Sequence, residues 1–168
     1  AFYSLQGEGY YKGSAAYFIR LGGCDVGCHW CDVKESWAAE AHPIVPVEDI
    51  AAEALKHSRL IIITGGEPLL RSDLAYCGAH LREEGFRWGI VSNGLCYTPE
   101  RHAELLGAGM GAITLSLDGL ESTHNRFRAN PDSYAHVVEA LQLIALSPRL
   151  SYDVVTCVHP GNLEELPA

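Results

Sequence analysis

At 168 residues, with 48% hydrophobic residues and a mean hydropathy of +0.02, the chain is long enough to bury one core. A net charge of −9 argues against a general nucleic-acid binder, which would carry a basic patch. No apolar run reaches membrane-spanning length, so neither a transmembrane span nor a signal peptide is expected, and clustered thiols suit a reducing cytoplasm. The first residue is Ala1 rather than Met, and Gly161–Ala168 reads as a helix just starting, so residues 1–168 are read as a single domain cut from a longer protein.

In chain order, Ala16–Leu21 reads as a strand running into a cysteine loop. Val47, Ile50, Ala51, Ala54 and Leu55 then fall at helical spacing, with Glu48 and Asp49 favouring the first turn. Leu60–Thr64 is a buried strand bounded by Gly65-Gly66. Leu74, Cys77 and Leu81 mark a helix between Ser72 as N-cap and Gly85 as stop. Phe86–Val91 alternates as a strand, Thr98-Pro99 opens a helix, and Ala112–Leu117 is a fourth strand. Val137, Val138, Leu141 and Ile144 form a helical stripe, and Leu150–Val158 is a fifth strand. This alternation predicts an α/β fold: a parallel sheet with outer helices, curled by right-handed crossovers into an open, partial βα barrel. Chemistry should then collect in the loops after the strands.

The loops do carry it. Cys24, Cys28 and Cys31 follow the first strand in C-x3-C-x2-C spacing. Three thiolates can hold three corners of a 4Fe-4S cluster and leave one iron open. The other three of the six cysteines are scattered; a closed zinc site completed by His29, or disulfides, are the alternatives on these residues alone. Gly65-Gly66-Glu67-Pro68 after the second strand would let a polar ligand approach the backbone, with Glu67 as an acceptor for an ammonium; an ordinary βα turn explains it as readily. Trp30 reads equally as a core aromatic. Ser92 and Asn93 offer hydroxyl and amide to a ribose or simply form a turn. Arg128 is a carboxylate clamp or a surface arginine. Toward the amino terminus, Gln6 and Glu8 can pair with an amide-and-amine edge and Arg20 can clamp a carboxylate, or the string is a flexible turn with a barrel-end ion pair.

The cysteine spacing resembles the radical S-adenosylmethionine (radical SAM) enzymes. The resemblance implies that Cys24, Cys28 and Cys31 hold a 4Fe-4S cluster whose open iron binds S-adenosylmethionine, and that an electron cleaves the sulfonium to a 5′-deoxyadenosyl radical. It implies that Trp30, Gly65, Gly66, Glu67, Ser92, Asn93, Ser116, Asp118 and Arg128 seat S-adenosylmethionine. The electron would come from a flavodoxin or ferredoxin.

The string Leu5-Gln6-Gly7-Glu8-Gly9, with Arg20 and Cys28-His-Trp-Cys31-Asp32, resembles the 7-carboxy-7-deazaguanine synthase family over roughly residues 1–70. That resemblance implies conversion of 6-carboxy-5,6,7,8-tetrahydropterin to 7-carboxy-7-deazaguanine with loss of ammonia, on the route to queuosine, with Gln6, Glu8, Arg20 and Thr64 on the substrate. Val33 departs from the family, many of whose members place there a hydroxyl residue that helps bind Mg2+; Asp32 is the remaining candidate ligand. From about Arg71 onward, Ser116-Leu-Asp118-Gly119 and His124-Asn-Arg-Phe-Arg128 look more like radical SAM enzymes that modify peptides or mature proteins. A peptide substrate is therefore the second reading, and a zinc or iron–sulfur binding module without catalysis the third. No membrane or nucleic-acid partner is expected; a homodimer is compatible with the sequence but is read from no residue.

Overall fold

The computed structural model describes residues 1–24 and 26–166. One six-stranded sheet follows chain order: β1 (Phe2–Leu5), β2 (Ala15–Leu21), β3 (Leu60–Gly65), β4 (Arg87–Ser92), β5 (Met110–Ser116) and β6 (Ser151–Val155). β1 is antiparallel to β2, and every later pairing is parallel. The crossovers contain α1 (Val47–Ala54), α2 (Leu74–Glu83), α3 (Pro99–Gly107) and, between β5 and β6, α4 (Glu121–Arg128) and α5 (Ser133–Ala145). This is the expected α/β architecture, with β1 and α4 added to it.

Period-2 alternation assigns the two faces of the sheet. Tyr17, Ile19, Ile61, Ile63, Trp88, Ile90, Ile113 and Leu115 pack with Leu74, Leu81, Leu105, Val137 and Ile144 of the helices in the main core. The opposite face has only a small apolar floor, Ala16, Leu60 and Ile62, flanked by Tyr11, Phe18 and Val91. Above that floor the same face turns polar: Arg20 of β2 stands beside its register partner Thr64 of β3. The main core therefore lies on the helix side, leaving the other side of the sheet for ligands.

Two helix starts show how local chemistry sets the boundaries. Thr98 caps α3, its Oγ1 accepting the Arg101 N–H at 3.2 Å, with Pro99 at the first helical position. Ser72 does not cap α2, contrary to expectation. The preceding residue is Asp73, whose carboxylate faces Arg71 instead, accepting from Nε at 2.8 Å and Nη2 at 2.5 Å. Gly85, at φ +82°, does follow the helix as its stop. β6 is shorter than expected because Cys157 N–H turns away to the Asp118 carboxylate at 2.8 Å. The expected carboxy-terminal helix start is a single turn at Leu163–Glu165, and Pro167 and Ala168 lie outside the described residues.

The sheet is curled. Tyr10, in the loop after β1, donates its N–H to Asp153 of β6 at 2.9 Å. One cavity is lined both by Ser4 of β1 and by Val155 of β6, strands that a flat sheet would set about 24 Å apart. Among the described residues no helix is long and apolar enough to cross a membrane.

Candidate active site

The carboxyl ends of the parallel strands surround two cavities of about 350 Å³ each. One is lined by Gln6, Glu8, Arg20 and Thr64, with Phe2, Phe18 and Ile62 beneath them. The other is lined by Cys24, Cys28 and Cys31, by Trp30, and by Gly65, Gly66, Glu67, Ser92, Asn93, Ser116, Asp118 and Arg128. Glu8, Asp32, Val33, Thr64 and Gly65 belong to both, so the cavities share a wall. The residues expected on substrate thus fall in one lobe and those expected on cofactor in the next.

The thiol loop is stapled at its base. Gly23 N–H donates to Ser36 O at 2.7 Å and Cys24 N–H to Trp37 O at 3.3 Å, while Cys31 N–H closes a turn on Cys28 O at 3.0 Å. The β3 loop is fastened to the same segment, Gly66 N–H donating to Leu21 O and Glu67 N–H to Gly23 O. This contact is why the two glycines are needed. Gly65 has φ +105°, and a Cβ there would lie 2.6 Å from Leu21 N and O; a Cβ on Gly66 would strike the Gly23 carbonyl. The close approach that the sequence suggested for a ligand is made first by the chain's own backbone.

Glu67 is buried and its carboxylate is already engaged. Oε1 accepts from Leu69 N–H at 3.0 Å and Ser92 Oγ at 2.8 Å, and Oε2 from Asn93 N–H at 2.8 Å. Burial raises its pKa, and those three bonds with the Arg128 charge oppose the rise. Ser92 Oγ also accepts from Gly94 N–H, and Asn93 Oδ1 from Leu95 N–H. Glu67 and Ser92 therefore lock the β3 loop to the β4 loop. The Asn93 amide nitrogen has no protein hydrogen-bond partner among the described residues, so it can be offered to a ligand.

The wall after β5 is a buried polar network. Asp118 is fully buried; Oδ2 accepts from Arg128 Nε at 2.5 Å, Oδ1 from Cys157 N–H at 2.8 Å, and Asn162 Nδ2 donates to the Asp118 carbonyl at 3.0 Å. His124, also fully buried, accepts the Asp118 N–H on Nδ1 at 2.9 Å, so its neutral ring carries hydrogen on Nε2, which faces Ser133 Oγ at 2.9 Å. Burial, then the Arg128 charge, lower the His124 pKa, and Asp118 raises it less. Arg128 spends Nε on Asp118 and lines the cavity with the rest of its guanidinium, 4.8 Å over the Trp30 ring.

Trp30 is a clasp between the two walls. Its ring stacks on Phe127 at 4.4 Å and Nε1 donates to Phe127 O at 3.2 Å; Phe127 stacks in turn on His159 at 4.2 Å. Phe127, His124 and His159 were not singled out from the sequence as site residues. The available signal was one phenylalanine within a polar stretch, Glu121–Arg128, that has no apolar stripe to announce a helix.

Three thiols in one cavity are the donor set an iron–sulfur cluster takes. Burial raises the Cys28 pKa and neighbouring Arg128 lowers it, so ligation there must displace a proton. Among the described residues no three His, Cys, Asp or Glu side chains are arranged to hold a single metal ion. A cubane presents its irons at separate corners, so its thiolates need not converge on a point, and the residues fit a cluster.

Loops at the carboxyl ends of parallel strands are where βα-barrel enzymes keep their chemistry, and here they hold the thiols. The model of the radical SAM superfamily matches residues 18–167, and the chain belongs to that superfamily. The family implies a 4Fe-4S cluster and S-adenosylmethionine as cofactors. A 7-carboxy-7-deazaguanine synthase of Flavobacterium psychrophilum is 52% identical over 93 residues, 55% of this chain and 44% of that protein. The stretch is longer than the roughly 70 residues over which the sequence resemblance was drawn. The crystal structure of QueE from Escherichia coli superposes with a TM-score of 0.54 at 26% identity, covering 92% of this chain and 81% of that one. Streptococcus suis SuiB bound to its precursor peptide SuiA gives a TM-score of 0.66 at 16% identity, over 89% of this chain and 35% of that one, a likeness of fold alone. The chain spans about half the length of the curated relatives it matches.

Proposed function

We propose that the chain is the core of a radical SAM enzyme that converts 6-carboxy-5,6,7,8-tetrahydropterin to 7-carboxy-7-deazaguanine with loss of ammonia. The observation that carries this reading is the gathering of Gln6, Glu8, Arg20 and Thr64, from a loop and two strands, in one lobe that shares a wall with the thiol cavity. Among the described residues the side chains of Gln6, Glu8 and Thr64 have no protein hydrogen-bond partner, so their polar groups remain available to a ligand. Identity to the synthases supports the same substrate.

Cys24, Cys28 and Cys31 would hold the cluster, which with S-adenosylmethionine would supply the one-electron chemistry that starts the reaction. Arg128, whose Nε is committed to Asp118, would offer its remaining guanidinium nitrogens to the methionyl carboxylate. Asn93 and Ser116 offer amide and hydroxyl to the ribose. In the neighbouring lobe Arg20 takes the pterin carboxylate, while Gln6 and Glu8 read the amide-and-amine edge of the ring. Thr64, which lines both lobes, would lie between the two ligands. From the loop between β1 and β2, Gln6 and Glu8 line the substrate lobe, and Tyr10 N–H ties the loop to Asp153 of β6.

The test is anaerobic reconstitution of the protein with iron and sulfide, followed by incubation with reductant, S-adenosylmethionine and the carboxy-tetrahydropterin. The expected product is 7-carboxy-7-deazaguanine, formed with 5′-deoxyadenosine. Cleavage of S-adenosylmethionine with the pterin left intact overturns the substrate and points to a peptide.

A further inference from the structure

We infer that Asp153, on the far edge strand β6, is the positioning residue that latches the substrate-reading loop over the cavity. The inference deepens the proposed function and rests on it for the substrate. The loop from Gln6 to Ser14 is compact at its root: Gln6 N–H donates to Ser14 O at 2.8 Å, Gly13 N–H to Gln6 O at 2.7 Å, and Lys12 N–H to Gly9 O at 3.0 Å. Its tip is held differently. Tyr10 N–H donates to Asp153 Oδ2 at 2.9 Å, the one hydrogen bond from this loop to β6 among the described residues.

The fit at the tip is close. Gly9 has φ +69°, and a Cβ added to it would strike Asp153 Oδ2 and lie 2.6 Å from Cγ and 2.7 Å from Oδ1. The positive φ strains any residue but glycine, and a Cβ there would displace the carboxylate from its place under Tyr10 N–H. Glu8 precedes this contact and lines both cavities; Gln6, at the root, lines the substrate lobe. Val155, two residues beyond Asp153 on the same face of β6, lines both cavities as well. The latch thus joins the segment expected to read the pterin to the half of the chain that holds the Asp118–Arg128 pair. Asp153 need not touch substrate for this: it fixes the backbone beside Glu8, so that the side chain is aimed before the ligand arrives.

Three variants of the reconstituted protein test it: Asp153→Ala, Asp153→Asn and Gly9→Ala. An Asn Oδ1 still accepts the Tyr10 N–H, so Asp153→Asn should retain the wild-type KM for the pterin. Asp153→Ala and Gly9→Ala should raise that KM about tenfold, the signature of lost ground-state preorganisation, with affinity for S-adenosylmethionine and the electron paramagnetic resonance of the reduced cluster unchanged. Hydrogen exchange of residues 6–14 should accelerate in the Ala variants only, a readout that needs no substrate. Wild-type exchange and KM in Asp153→Ala, or an Asn variant as impaired as the Ala one, overturn the latch. If the wild-type protein leaves the pterin untouched, the substrate reading falls, and the exchange experiment still decides whether Asp153 holds the loop.

Discussion

The two walls of the cavity use polar residues in opposite ways. On the amino-terminal wall, Gln6, Glu8 and Thr64 line the lobe with no protein hydrogen bond to their side chains among the described residues, and Arg20 is exposed, resting 5.3 Å over the Phe2 ring. On the carboxy-terminal wall, Asp118, His124, Ser133 and Asn162 are buried and bonded to one another or to backbone, leaving part of Arg128 for a ligand. Residues of similar chemistry thus serve recognition in one place and architecture in the other, and only the partners distinguish them.

Substitutions should separate the two. The largest effect is expected for Arg128→Met, which strands the buried Asp118 carboxylate: a loss of ~3–5 kcal/mol, read by denaturant unfolding of the apoprotein. Arg20→Met should leave stability within ~0.5 kcal/mol and raise the KM for the pterin by one to two orders of magnitude, about the worth of a charge-assisted bidentate pair. Equal destabilisation by both changes would erase the contrast.

His124 sharpens it through pH. Its folded pKa lies below the unfolded value, so the native state takes up its proton later than the unfolded chain. Stability is therefore unaffected above the unfolded value near ~6.5 and falls as pH drops below it, until the folded pKa is reached. His124 should contribute up to ~1.4 kcal/mol per pH unit to that slope, so His124→Gln should reduce the slope by that share while His102, also lowered by burial, keeps its own in both proteins. The smallest effect is expected on the shared wall. Val33 offers no oxygen and Asp32 only one carboxylate, so chelating Mg2+ should change turnover by less than about twofold.

Much of the fold was legible because its signals are local. The run Leu60–Ile63, the Thr98-Pro99 start and the stripe from Val137 to Ile144 each carry their own periodicity or cap. β1 escaped because its four residues are exposed and gain strand geometry only by pairing with β2. α4 escaped because its residues are polar almost throughout, and its burial comes from the network beneath it. In the site, spacing announced the thiols and the strand ends located the loops. No spacing could show that Glu67 and Ser92 would be spent on each other, or that Asp118 would take Arg128, since those pairs form only when β3 meets β4 and α4 folds back over β5. Long-range pairing decides which polar residues are left over, and a linear sequence does not display it.

The ring stack on Trp30 gives the molecule an optical reporter. Of the three tryptophans, Trp88 is sealed in the core and Trp37 lies at the base of the thiol loop beneath Lys34. In a Trp37→Phe background the signal therefore comes from Trp30, on the cavity wall under a cationic guanidinium and against an aromatic partner. Its emission should dim as an iron centre assembles beside it and shift again when a purine settles near its edge, so occupancy can be followed by light in a sealed cuvette without sampling the reaction.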